Sequence, residues 1–123
     1  MSVGEKDKFA KHCGIELIEA GEGRAKAKME IQPFHFNGVG IVQGGAIFTL
    51  ADLTFAAASN SHDHVAVAIN TNISFIKATK SGTLYAEAKE INPRGRVGSY
   101  SVTVTNDEEE VIAVFEGLAY RKF

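Results

Sequence analysis

The chain is short of the features that most quickly place a sequence in a class. Among its 123 residues is one cysteine, Cys13, so no intrachain disulfide can form and the lone thiol suits a reducing compartment, the cytoplasm. It has no surplus of positive charge: 13 Lys and Arg stand against 15 Asp and Glu, a formal net charge of −2. An electrostatic nucleic-acid surface needs a basic face, so no nucleic-acid partner is expected. Long apolar runs are also missing. The longest, VAVAI (65–69) and VIAVF (111–115), fall far short of the roughly 20 residues that a spanning helix needs, so no membrane partner is expected. The opening MSVGEKDKFAKHCG lacks the apolar core of a signal peptide. There is no low-complexity tract and no internal repeat, and the punctuation is by single turns. One domain covering residues 1–123 is therefore expected.

What is present is patterned. At 45% hydrophobic the chain can build a small core. Residues 5–12 read as a short amphipathic helix ended by Gly14, and IELIEA (15–20) as a strand closed by the turn GEG (21–23). RAKAKMEI alternates: Ala25, Ala27, Met29 and Ile31 share one face, and Arg24, Lys26, Lys28 and Glu30 the other, a half-solvated strand. A loop over 32–43 leads into a stretch from Gly44 to about Asn60 that is almost wholly apolar or small with a helical period, the mark of a helix central to a core. Strands follow at 65–77, 82–91, 97–107 and 108–123, and hairpins would make these late strands antiparallel neighbours. One long helix must then cover about six strands, so the class is α+β with the sheet curled around the helix.

The chemistry concentrates in NGVGIVQGGAIFTLAD, residues 37–52. Gly44 and Gly45 stand where the helix starts. Its first N–H groups have no internal partner and the helix dipole puts partial positive charge there, which suits an oxyanion or a polarised carbonyl. Asp52 lies inside the apolar pattern, on a face shared with Phe48 and Phe55. A carboxylate there is costly unless paired or useful, and burial would raise its pKa toward that of a base. A glycine pair is also ordinary loop-to-helix punctuation, and a buried Asp can simply cap a turn or pair with a lysine. Spacing adds one constraint. Positions 44 and 52 are separated by about 12 Å of helix rise, too far for one substrate carbonyl to meet both. Two such helices antiparallel across a twofold axis bring Gly44 of one chain to Asp52 of the other, which predicts a homo-oligomer with its sites at the subunit interface.

These residues resemble a known pattern, N-G-x-G-x-x-H-G-G-x-x-x-x-L-x-D, of the hotdog-fold acyl-CoA thioesterases, particularly the phenylacetate-degradation (PaaI-type) group. AAASNS (56–61) and NISFIKATKSGTLYAEAKEI (72–91) are similar to that group as well, and the likeness runs from about residue 10 to the end. The resemblance implies a curved antiparallel sheet wrapped on one helix, dimers or dimers of dimers, and hydrolysis of an acyl-CoA thioester with a medium-chain or aryl acyl group. It implies no cofactor and no metal, since CoA is part of the substrate. By position, Asp52 would be the general base or nucleophile, the Gly44 N–H would polarise the thioester carbonyl, and Asn37 would help hold the carbonyl or the attacking water. The pattern is broken at Gln43, where the family has histidine. Glutamine donates and accepts hydrogen bonds but does not titrate. The family's Ser or Thr on the strand after the helix would fall near Ala68, leaving Asn70 and Thr71 as candidates with neither orientation fixed.

The remaining candidates are substrate contacts. His35 and Gly45 could line the pocket beside Gln43, and Phe34, Phe36, Phe48 and Phe55 could shape its acyl part or be core. Arg94 and Arg96 in NPRGR, with Lys77 and Lys80, offer cations for CoA phosphates, or form a charged hairpin turn. HDH (62–64) reads as a solvated turn rather than a metal site. Two other functions fit a hotdog domain: non-catalytic acyl-CoA binding, which gains nothing from Asp52, and enoyl-CoA hydration or dehydration, which wants the histidine that Gln43 replaces.

Overall fold

The structure, a computed structural model, describes residues 3–123. Two short helices, α1 (Val3–Lys6) and α2 (Lys8–His12), open the chain. They replace the single helix expected over 5–12. The break falls at Asp7, whose carboxylate accepts from the Ala10 N–H at 2.9 Å and so restarts the helix as its N-cap. Gly14, in left-handed conformation at φ +82°, ends α2.

Six strands form one antiparallel sheet: β1 (Ile15–Gly21), β2 (Arg24–Glu30), β3 (Val65–Phe75), β4 (Thr83–Glu90), β5 (Val97–Thr105) and β6 (Val111–Lys122). Their order is β1-β2-β4-β5-β6-β3. β4–β5 and β5–β6 are the hairpins expected. β3 is not: it does not neighbour β4 but crosses to pair with β6 and form a sheet edge. The helix α3 (Gly44–Ser59) lies between β2 and β3 in sequence and fills the hollow of the sheet. Alternation decides which face meets it. Ala25, Ala27 and Met29 of β2 and Leu84, Ala86 and Ala88 of β4 are buried against α3, and the intervening charged residues face outward. At the centre the Phe55 ring packs on Tyr100 and Phe115, with centroids 5.6 and 5.7 Å away.

The end of the sheet beside the C-terminus of α3 holds a buried polar cluster. Arg121, 1% exposed, donates to Glu90 at 3.1 Å and to the carbonyls of Gly95 and Asn92 at 2.9 and 2.6 Å. Tyr100 and His62 also bond the Glu90 carboxylate. His62 is thus tied into the fold rather than solvated, and stacks on His64. Gly98 makes room for this arrangement, since a Cβ there would come within 2.8 Å of the Arg121 Cζ.

Candidate active site

The loop before α3 is shaped by Asn37. Its Oδ1 accepts from the N–H groups of Val39 (3.0 Å) and Ile41 (3.3 Å), while its backbone N–H donates to the Ile41 carbonyl at 2.9 Å. The turn therefore consumes the side-chain carbonyl and leaves the Nδ2 hydrogens without a protein partner among the described residues. The return leg is pinned by Val42 N–H to Thr79 O (3.0 Å) and Gln43 N–H to His35 O (2.8 Å). Gln43 is the N-cap: its carbonyl accepts from Ala46 and Ile47, but its side chain caps nothing. Instead the amide lies over Gly45, where a Cβ would meet its Oε1 at 2.8 Å. The N–H groups of Gly44 and Gly45 consequently leave the helix end with no protein acceptor among the described residues. The ring of Phe75 lies against Gly44, within 2.9 Å of where a Cβ would stand.

Asp52 is half-buried two turns further on, on the same stripe as Gly45 and Thr49. Among the described residues it forms no hydrogen bond or ion pair. Burial, and then the nearby carboxylate of Asp7, push its pKa above the ordinary 3.8. An uncompensated carboxylate on an otherwise uncharged helix is the condition of a proton acceptor rather than of a structural pair. Within one protomer the Gly44 N–H and Asp52 remain about 12 Å apart along the helix axis.

Beside the helix start is a cleft of about 370 Å³. Phe9 of α2 and Cys13, its C-cap, form one wall, Phe34 and Phe36 another, and Gln43 and Thr49 line its polar side. His35 also borders it, but both ring nitrogens are occupied: Nδ1 accepts from the Gln32 N–H (2.9 Å) and Nε2 bonds the Cys13 carbonyl at 2.7 Å. His35 thus stands beside Gln43 on the cleft as expected, but its ring clamps the loop to the end of α2 and has no free nitrogen to offer a substrate.

Of the two roles open to Phe55, substrate contact or core, the structure gives it the core. It is 1% exposed, packed over Gly117, and does not reach the cleft; one turn of helix carries it from the Asp52 stripe to the sheet. A β-bulge at Ile69, between Ala68 and Asn70, sets which of Asn70 and Thr71 faces the helix. Thr71 pairs with Gly117, on the helix side, whereas Asn70 pairs with the outward Leu118. Arg94 and Arg96 lie exposed in the β4–β5 turn at the opposite end of the sheet, beside the C-terminus of α3, and are not brought to Gly44 of their own protomer. Arg96 instead contacts Tyr120 and the Phe123 ring.

The loop-to-helix arrangement is also where known proteins match. A model described as thioesterase superfamily fits residues 39–113, more than half of the chain. The chain belongs to the thioesterase superfamily. A "Putative esterase" of Archaeoglobus fulgidus is 40% identical over 95% of this chain and 77% of its own. Acyl-coenzyme A thioesterase PaaI of Escherichia coli K12 is 32% identical over 95% of this chain and 84% of its own. The structure of E. coli PaaI superposes with a TM-score of 0.91 at 34% identity, covering 97% of this chain and 87% of that one. This thioesterase is therefore of the PaaI-type hotdog group, as the residues around Gly44 and Asp52 suggested. Sequence reasoning passes over Thr49 and Phe9. Thr49 carries a signal, a hydroxyl three residues before Asp52 in an apolar helix, though its Oγ is tied to the Gly45 carbonyl at 2.7 Å. Phe9 carries none, since only tertiary packing brings α2 to the cleft.

Proposed function

We propose that this thioesterase hydrolyses acyl-CoA thioesters carrying medium-chain or aryl acyl groups, in sites completed by a second copy of the chain. The observation that carries the reading is a helix with free N–H groups at its start and an unpartnered, half-buried carboxylate two turns along. In an antiparallel pair of such helices, the thioester carbonyl rests on the Gly44 N–H of one protomer with the Asn37 amide as a second donor. Asp52 of the other takes a proton from water, and the hydroxide adds to the carbonyl carbon. The oxyanion is held by those donors until it collapses and expels the thiolate, which the proton on Asp52 neutralises. A thiolate leaves readily, so neither a metal nor a titrating residue at Gln43 is required. Direct attack by Asp52 gives an anhydride instead; single turnover in heavy-oxygen water separates the routes, since only that route places label in the Asp52 carboxyl.

The cleft walled by Phe9, Phe34 and Phe36 receives the acyl group, and Arg94 and Arg96 of the β4–β5 turn serve the CoA phosphates across the interface. The lone thiol suits the cytoplasm. The E. coli relative is named an acyl-coenzyme A thioesterase. Thiol release from a panel of acyl-CoAs tests the proposal: the wild type turns over at least one class, and Asp52→Asn loses about 10²–10⁴ of kcat. Equal rates would exclude Asp52 from the chemistry.

A further inference from the structure

The two N-terminal helices lie outside the residues that mark the family, yet they run along α3. At one end, Gly4 meets its C-terminal half: a Cβ there would be 3.5 Å from Ala57 and 2.8 Å from Leu17. At the other, Phe9 and Cys13 share the cleft with Gly45, Ala46 and Thr49. Residues 4–13 thus pass α3 antiparallel, from position 57 to positions 45–49. Asp7, at the joint of α1 and α2, falls between those two contacts, and Asp52 falls between the same two on α3. The joint is fixed by hydrogen bonds on both sides. The Asp7 N–H donates to Gly4 O at 3.3 Å, its carbonyl accepts from Lys11 N–H at 3.1 Å, and its Oδ1 accepts from Ala10 N–H at 2.9 Å.

We propose that Asp7 is a positioning residue for the hydrolysis, holding a fixed negative charge against the stripe of α3 that carries Asp52. The proposal rests on the reading of Asp52 as the reaction's base. α3 carries no charged residue besides Asp52, and the β3 residues that face the helix beside it, Thr71 and Ile73, are uncharged. Glu5, Lys6, Lys8, Lys11 and His12 are the other charged or titratable groups of α1 and α2, and none of their cations forms an ion pair with Asp52; the thiol of Cys13, just past α2, is pushed up by burial and by Asp7 and so adds no charge. Arg121 faces inward from β6 but is spent on Glu90 at the far end of the sheet. Asp7 is the charge whose field reaches Asp52, and it acts in the same direction as burial. A neighbouring like charge makes Asp52 hold its proton more tightly, so it is a stronger base toward water at neutral pH.

Asp7→Asn isolates the charge, because asparagine caps a helix as well as aspartate does. Asp7→Glu keeps the charge as a control. The acid limb of kcat/KM against pH is expected to move to lower pH in Asp7→Asn at low ionic strength and to stay near the wild type in Asp7→Glu. Tm should hold in Asp7→Asn and fall slightly in Asp7→Glu, a poorer N-cap, and the carbon resonance of the Asp52 carboxyl should titrate with the same offset as the acid limb in each. An acid limb unmoved in Asp7→Asn, with Asp52→Asn inactive, overturns the role of Asp7 alone. An active Asp52→Asn overturns the reading of Asp52 itself, and this role with it.

Discussion

Thr71 and Asn70 are adjacent in β3, yet their side chains leave the sheet on opposite faces, Thr71 beside Gly117 toward the helix and Asn70 beside Leu118 toward the outside. The bulge at Ile69 sets this phase. Without it, the alternation begun at the buried Ala66 would carry Asn70 inward instead. A hydroxyl on the helix side can order the attacking water, and an amide on the outer face cannot. Thr71→Val is expected to lower kcat/KM about 10-fold, the worth of one hydrogen bond, and Asn70→Ala to leave it unchanged. Steady-state kinetics on one acyl-CoA settle the pair; the reverse ranking would place the water on the other face.

Asp52 carries a stability signature separate from its rate effect. Its folded pKa is raised above 3.8 by burial first and by Asp7 second. Between 3.8 and the folded value the native chain holds more protons than the unfolded chain, so stability falls as pH rises through that window, and the full penalty is present at neutral pH. Asparagine has no such penalty. The inactive Asp52→Asn should therefore melt at or above the wild type at pH 7, with its advantage vanishing as the pH drops below that window. Thermal melts across the acid range check the sign; a variant less stable at pH 7 would mean that the carboxylate is paired in the assembled protein.

The features that periodicity could reveal were the ones governed by local burial. Ala25, Ala27 and Met29 alternate because one face of β2 meets α3, and that is written in the sequence as directly as the apolar run from Gly44 to Ser59. The Gly44–Asp52 spacing was legible too, since helix rise alone separates them. Phe55 was harder: an offset of three residues shares a broad face with Asp52, but the sheet covers one side of that face only. His35 was legible as a lining residue, but not as a clamp, because its partners, Gln32 and Cys13, are fixed by a short 3₁₀ turn and by the end of α2. The partnership of Arg121 with Glu90 spans 31 positions, and no local pattern announces it.

That partnership yields a stability test. Arg121→Met leaves the Glu90 carboxylate, with 8% of its side chain exposed, without its guanidinium partner, and removes the donors to Asn92 and Gly95. A broken buried pair costs about 3–5 kcal/mol, so a large fall in the denaturation midpoint is expected. Removing Glu90 as well, in Arg121→Met/Glu90→Leu, takes away the stranded charge, so the double variant should lose less than the two single losses combined. Burial alone would raise the Glu90 carboxyl, but the hydrogen bonds from Tyr100 and His62 and the charges of His62 and Arg121 outweigh it and hold the group below the ordinary 4.5. That contribution is present above pH 4.5 and is lost as pH falls through the lowered folded value, so the gap between wild type and Glu90→Gln should close in acid.

The sharing of sites between protomers has a quantitative consequence. Gly44→Val places a branched Cβ where the Phe75 ring already stands within 2.9 Å and blocks the approach to the N–H. It should be inactive, as should Asp52→Asn. If each site takes Gly44 from one chain and Asp52 from the other, a heterodimer of the two variants contains one intact site and one doubly defective site. Random reassortment makes half the dimers mixed, so an equimolar mixture denatured and refolded together should regain about a quarter of wild-type activity. Sites built within one chain predict no recovery, because every chain then carries a broken site. A rate that stays at the background of the separate variants after subunit exchange, with exchange itself verified by mass spectrometry of tagged chains, would exclude a composite site; recovery near a quarter would assign Gly44 and Asp52 to opposite protomers.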